Sequence, residues 1–114
     1  MEQLKLTYPS GSEEDYLKEL FVHQEEAFNL QFGTVFLKVG TAIPEEGYTR
    51  HDQKKIVFIV KGEVRVVLED NPHFEQIIIE GDTFMVDYFE AHKGIVLKDT
   101  KLIYVLFGKK ESSC

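Results

Sequence analysis

Two of the four histidines stand where they could carry chemistry. His51 lies in the polar stretch "YTRHDQKK" just before the apolar run "IVFIV", and His92 lies just before "GIVL". Histidine changes charge near neutral pH, so it can transfer a proton or, when neutral, bind a metal. His23 and His73 lie in predicted connecting segments and are expected to be exposed. No nucleophile beside a base, phosphate-binding glycine loop or zinc-type Cys/His spacing occurs elsewhere.

The elements that must position these histidines are short strands. Seven segments rich in Val, Ile and Phe have strand length: 34–39, 55–60, 63–68, 75–79, 83–86, 94–97 and 102–107. Turn-forming residues separate them at Gly40, Pro44, Gly47, Gly62, 69–73, 80–82 and 98–101. A short helix near 12–20, with Ser12 as its N-cap, is predicted ahead of the strands. This order favours an all-β sandwich or closed barrel.

Length and charge limit the classes of protein that fit. A chain of 114 residues predicts a single domain, 1–114, with a barrel at about 27–108, an N-terminal strand or helix at 3–21 and a tail at 109–114. The net charge of −7 disfavours nucleic acid and anionic membranes as partners. No apolar run is long enough to cross a bilayer and no signal peptide is evident, so a cytoplasmic location is expected. The only cysteine, Cys114, allows no internal disulfide.

The order of strands, glycines and histidines over 34–108 resembles the cupin superfamily of double-stranded β-helix (jelly-roll) barrels. The first cupin motif ends in H-x-H, three or four residues, Glu, six residues and Gly. Here Gly62 closes that motif, His51 takes its second histidine, and Thr49 and Lys55 stand at the first histidine and the glutamate. The glycine that opens the motif is replaced by Ile43.

The second cupin motif reads G-x5-P-x-G-x2-H-x3-N. It begins here at Gly81 and reaches its histidine at His92, while three positions differ: Asp87 replaces Pro, Phe89 replaces Gly and Val96 replaces Asn. The resemblance therefore implies a cupin barrel in which His51 and His92 face one interior. It also implies a metal site that keeps only these two of its four usual ligand positions.

A complete divalent metal site is not expected from this set. A protein-bound transition metal needs three or four ligands, and the non-haem iron arrangement needs a carboxylate beside two histidines. Thr49 is a poor ligand, and an inward ammonium on Lys55 would repel a divalent ion by roughly 6 to 7 kcal/mol at about 5 Å and an effective dielectric near 20. Asp87 is the candidate third ligand of a weakly bound metal. No tightly held cofactor is predicted.

Three functions remain open on the sequence. The first is a barrel that binds a small polar or anionic ligand, with His51, His92, Thr49, Lys55 and Tyr88 as the candidate ligand-binding residues. The second is a cupin enzyme, either metal-dependent with a reduced ligand set or a metal-free isomerase or epimerase. The third is a structural or interaction module with a filled barrel.

Two less specific interpretations accompany these functions. Each histidine can equally be a hydrogen-bonded barrel residue, and Lys55 is favoured as a surface lysine at a strand end, because lysines are seldom buried without a partner. A homodimer is expected, with one alternating face of "IVFIV" as its interface.

Overall fold

The computed structural model describes residues 3–43, 53–68, 71, 73, 75–86 and 92–109. These residues form an all-β structure without a helix. Its strands are β1 (Leu17–Gln24), β2 (Phe28–Leu37), β3 (Ala42–Ile43), β4 (Lys54–Leu68), β5 (Glu75–Ile79), β6 (Thr83–Val86) and β7 (His92–Lys109). No helix in the described part of the chain has the length and apolar character needed to cross a membrane.

The strands form one antiparallel sheet that is organised by its two longest members. Its order is β1-β2-β7-β4-β5, with β3 also paired to β7 and β6 also paired to β4. Because β4 and β7 pair along almost their whole length, each contributes to two layers. The first layer contains β1, β2, the second half of β7, the first half of β4 and β6. The second layer contains β3, the first half of β7, the second half of β4 and β5.

The inner faces of the two layers share one apolar core. Val57, Ile59, Leu102 and Tyr104 come from the first layer, and Val64, Val66, Ile78 and Val96 come from the second. β-Branched residues dominate this set, as expected for side chains that pack on a pleated, buried surface. Residues directly opposite each other in the sheet share a face, so the pairing register assigns the remaining side chains to the inner or outer side.

The bend between the layers occurs at Gly62 in β4 and Thr100 in β7. The β4–β7 register shifts between Ile59 and Val64, and Gly62 has φ +118°, a conformation that L side chains rarely adopt. A Cβ on Gly62 would lie 2.6 Å from Thr100 Cα. The fully buried Thr100 Oγ1 donates to Lys98 O at 2.7 Å and accepts from Glu63 N at 3.1 Å. Glycine and threonine together therefore shape this bend.

The predicted helix near 12–20 is wrong. Residues 12–15 instead form a tight turn, in which Asp15 N donates to Ser12 O at 3.1 Å and the Asp15 carboxylate accepts from Ser10 N at 2.9 Å. This carboxylate contact lowers the pKa of Asp15. From Leu17 onward the chain pairs with β2 as strand β1. Sheet pairing thus overrides a weak local preference for helix.

Other expectations need smaller corrections. Segments 75–79 and 83–86 are confirmed as β5 and β6, whereas the predicted turns at Gly62 and 98–101 lie inside β4 and β7. β2 begins at Phe28, ahead of the predicted strand 34–39; β1 overlaps the predicted N-terminal strand or helix at 3–21, and β3 was not predicted. The all-β class is confirmed, but the sheet does not close into a barrel within the described residues, since β1 and β5 are not paired to each other.

Candidate functional site

Lys55 lies on the inner face of the first layer. It precedes the buried Val57 and Ile59 at alternate positions of β4, and it pairs with the buried Val86 of β6 and with Leu106 of β7. Leu106 is itself packed against the core. The side chain is partly buried. The expectation that Lys55 is a surface lysine is therefore corrected: the alternation of β4 directs it inward.

The surroundings of Lys55 are unfavourable for a charged amine. Burial among these neighbours lowers the pKa of Lys55, because desolvation penalises the ammonium form. No ion pair with a carboxylate is formed by Lys55 among the described residues. The site thus contains an amine whose protonated form has no carboxylate partner in the described part of the protein.

His92 lies on the inner face of the second layer. It begins β7 and is 8% exposed. Its cross-strand partner is Leu68, and the next inward positions along the same strands are Gly94 opposite Val66 and Val96 opposite Val64. Gly94 has space around it, since a Cβ there would be 3.5 Å from the nearest atom, Val64 Cγ1. His92 is therefore inward-facing at the end of this row.

Lys55 and His92 occupy corresponding positions in the two layers. Lys55 is near the start of β4, and Leu68, the partner of His92, is its last residue, so both positions are remote from the bend at Gly62. Since the inner faces of the layers share one core, the ends of both layers border the same interior. The pairing register thus places a lysine on the inner face of one layer and a histidine on the inner face of the other, both away from the bend.

A second polar group on the same inner face was not predicted. Gln31 of β2 lies opposite Leu106, which lies opposite Lys55, so the three residues form one row across the first layer. Gln31 Nε2 donates to Tyr104 Oη at 2.7 Å, and Tyr104 is 1% exposed. Burial raises the pKa of Tyr104, the hydrogen bond from Gln31 partly offsets this rise, and the nearby Glu19 carboxylate adds to it. The Tyr104 hydroxyl therefore stays protonated at neutral pH.

The sequence contained one indirect signal for this pair. In "NLQFG" the apolar Leu30 and Phe32 suggest that Gln31 faces solvent, but the register places Gln31 inward. The signal is Gly33, where a Cβ would clash both with the backbone oxygen of Lys18 on β1 and with Tyr104 Oη, 2.6 Å away. Glycine at this position leaves room for the tyrosine ring to extend over β2.

Four of the predicted site residues are not covered by the structure. Thr49, His51, Asp87 and Tyr88 lie outside the described residues. His23 and His73 are exposed, as expected, and His23 Nε2 lies 3.0 Å from Glu25 Oε1.

The donor set on the described residues does not fit a cupin-type metal. The inward Lys55 stands at the carboxylate position, and a lysine lacks the negative oxygen that the divalent ion would need there. Within the described ranges no cluster of three or more His, Cys, Asp or Glu residues is arranged to hold a metal ion. The described residues alone therefore do not form a metal site.

A cleft elsewhere on the molecule is separate from this region. It has a volume of about 860 Å³ and is lined by residues 11–14, 16 and 37–42. Its described lining contains none of the predicted site residues. Lys55 and His92, the predicted site residues that the structure describes, therefore lie away from this cleft.

Comparison with known proteins supports the architecture. No family model matches the sequence, and no curated protein is similar enough to count as a relative. Among solved structures, KdgF from Halomonas sp. is 20% identical over 84% of this chain and 79% of its own, with a TM-score of 0.63. The Cnp3 cupin domain of Schizosaccharomyces pombe is 15% identical over 82% and 64%, with a TM-score of 0.63. An RmlC-like cupin from Desulfovibrio desulfuricans is 15% identical over 80% and 81%, with a TM-score of 0.57.

These identities are low, so the likeness concerns the arrangement of the strands. Cupin domains recur among the similar structures, and the two-layered antiparallel sheet with its long shared strands agrees with them. The chain has a cupin-type fold.

Proposed function

We propose that the chain binds a small anionic ligand between its two layers, against Lys55, without a complete metal site. The observation that carries this proposal is the inward Lys55, a cation set among Val86 and Leu106 with no counter-charge among the described residues. A folded protein does not gain stability from such a lysine. Its position is explained if a ligand supplies the missing negative charge.

The energetics favour a carboxylate or phosphate as that ligand group. At about 4 Å and an effective dielectric near 20, two unit charges attract by roughly 4 kcal/mol. The hydrogen bond between an ammonium and an anionic oxygen is also among the stronger ones in proteins. Because an adjacent anion favours the charged amine, the lowered pKa of Lys55 would rise on binding.

His92 is the second contact proposed from the described residues. Its imidazole is buried at the corresponding end of the other layer, where it can donate or accept a hydrogen bond. Thr49, His51 and Tyr88 are proposed to complete the site on the strength of the cupin resemblance alone. The fold itself does not select a ligand, since one architecture hosts many functions.

A thermal-shift screen tests this proposal. The probes are acetate, butanoate, succinate and inorganic phosphate at equal ionic strength, with chloride as reference, because a ligand that binds the native state raises the melting temperature. At least one organic anion or phosphate should stabilise the wild type, and Lys55→Met should abolish the effect. Lys61→Met is the matched control, since Lys61 is exposed on the same strand. Equal stabilisation of all three proteins, or of none, would contradict the proposal.

A homodimer is proposed as the oligomeric state. The outer face of the first layer carries Phe32, Ile56, Phe58, Met85, Ile103 and Val105 in adjacent positions. Phe58 is 40% exposed and Met85 is 55% exposed. An apolar patch of this kind commonly marks an interface, and a second copy can cover it with the same residues about a two-fold axis.

A further inference from the structure

The Gln31–Tyr104 pair has no evident purpose in the core. Most of its neighbours on the inner face are apolar, and a polar pair in such surroundings contributes little net stability. Nonetheless Tyr104 is 1% exposed, and its ring requires glycine at position 33 on the neighbouring strand. Phenylalanine, which has the same ring without the hydroxyl, would have met the packing need. The hydroxyl therefore calls for another explanation.

The Tyr104 hydroxyl holds one end of the Gln31 side-chain amide in place. Gln31 Nε2 donates to Tyr104 Oη at 2.7 Å, which leaves Gln31 Oε1 as the free end. No hydrogen bond to Oε1 is formed within the described residues, although Gln31 is only partly buried and its amide remains reachable. A held amide with one free end is a directional hydrogen-bonding group.

The free amide end lies in the same row as the lysine. Gln31, Leu106 and Lys55 are successive cross-strand partners, so the Cα atoms of Gln31 and Lys55 are about 10 Å apart, or two strand spacings of about 4.8 Å. Side chains stand roughly perpendicular to a sheet, so polar ends above these two positions are separated by a similar distance, with Leu106 between them. Hydrogen bonds of about 2.8 Å at each end leave roughly 4 to 5 Å between the two oxygens of a ligand that bridges them.

We propose that Gln31 is a specificity-determining residue of the ligand site, positioned by Tyr104, and that the ligand is a carboxylic acid with a hydroxyl group remote from its carboxylate. This inference rests on the proposed function, because it takes the Lys55 ammonium as the carboxylate contact. A hydroxyl suits the amide in either orientation, since it can donate to a carbonyl oxygen and accept from an NH₂ group. Tyr104 acts through Gln31 and is a positioning residue.

Three acids that differ only in hydroxyl position test the inference. Butanoate has no hydroxyl, 2-hydroxybutanoate has one beside the carboxylate, and 4-hydroxybutanoate has one at the far end. Isothermal titration calorimetry of the wild type should show 4-hydroxybutanoate binding about 3- to 10-fold more tightly than butanoate, the range for one hydrogen bond. 2-Hydroxybutanoate should gain no comparable advantage.

Variants assign the preference to the proposed residues. Gln31→Met should bind butanoate as the wild type does but lose the preference for 4-hydroxybutanoate. Gln24→Met, the same change at an exposed position of β1, should keep it. Tyr104→Phe retains the ring while releasing the amide, so the affinity ratio should fall with little change in butanoate affinity. A merely structural tyrosine would lower stability without altering that ratio.

The outcomes separate this inference from the proposed function. If butanoate binding depends on Lys55 but the wild type does not prefer 4-hydroxybutanoate, the role of Gln31 is refuted and the proposed function stands. A preference that survives in Gln31→Met refutes it equally. If butanoate binding does not depend on Lys55, or no acid binds, the proposed function fails and this inference fails with it.

Discussion

Replacing Lys55 with methionine should stabilise the ligand-free protein at neutral pH. Methionine keeps an unbranched apolar chain between Val86 and Leu106 and removes the group that burial penalises. Each pKa unit by which burial lowers the lysine corresponds to about 1.4 kcal/mol of lost folding free energy. For a domain of this size, each kcal/mol changes the melting temperature by about 4 °C.

The sign of the pH dependence follows from the direction of the shift. The pKa of Lys55 is lower in the folded state than its ordinary value of 10.5, so the unfolded chain binds more protons between those two values. Below the folded pKa, the wild type should therefore carry the full destabilisation caused by burying the ammonium. As pH rises from the folded pKa towards 10.5, the free energy of unfolding of the wild type should rise relative to that of Lys55→Met.

Urea unfolding from pH 6 to 10.5 measures this difference. The free energy of unfolding of Lys55→Met should exceed that of the wild type at pH 6 to 7, and the gap should narrow at high pH. Lys61→Met, on the exposed side of β4, should show no such narrowing. A gap that is absent, reversed or independent of pH would refute the inward placement of the ammonium.

Three further predictions concern the bend, the metal and the outer face. Gly62→Ala should lower the free energy of unfolding by at least about 2 kcal/mol in urea titrations, because a positive φ and contact with Thr100 both oppose a Cβ. Gly81→Ala, with φ +89° but no atom within 4 Å of a Cβ, should cost less. The wild type should carry well under one equivalent of metal, and Lys55→Glu should raise its affinity for zinc or manganese in calorimetric titrations; an unchanged affinity would contradict the role given to Lys55. Phe58→Ser should convert the proposed dimer to monomer in size-exclusion chromatography with light scattering, and an unchanged mass would place the interface elsewhere.

Local turn chemistry made parts of the fold predictable. The predicted strands 75–79 and 83–86 have the same bounds as β5 and β6, because the turn between them contains Gly81 at φ +89°. Gly62 was predicted to mark a turn in the same way but lies inside β4. A β-bulge and a turn can both require a residue with positive φ, so a glycine in the sequence does not distinguish them. The N-terminal helix failed because its sequence signals were local, whereas the pairing of β1 with β2 is a tertiary contact.

The candidate site was less readable from the sequence. "IVFIV" is apolar at every position, so the sequence could not reveal which face of β4 is inward, the one with Lys55 and Val57 or the one with Ile56 and Phe58. Only the burial of Val57 and the pairing with Val86 determine that Lys55 faces inward. Likewise, Gln31 between Leu30 and Phe32 has the pattern of a surface residue, because the outer face of this layer is also apolar.

The most direct test of the account is the titration of the Lys55 side chain itself by NMR, with ¹³C-labelled lysine and Lys55→Met to assign the signal. The pKa of Lys55 should lie below 10.5 in the free protein, because of burial, and should rise when the most stabilising anion of the thermal-shift screen is added at saturation. Signals of exposed lysines such as Lys61 should not respond to that anion. A Lys55 signal that titrates at its ordinary value, or that does not respond to the anion, would contradict the claim that this buried cation is the recognition group of the site.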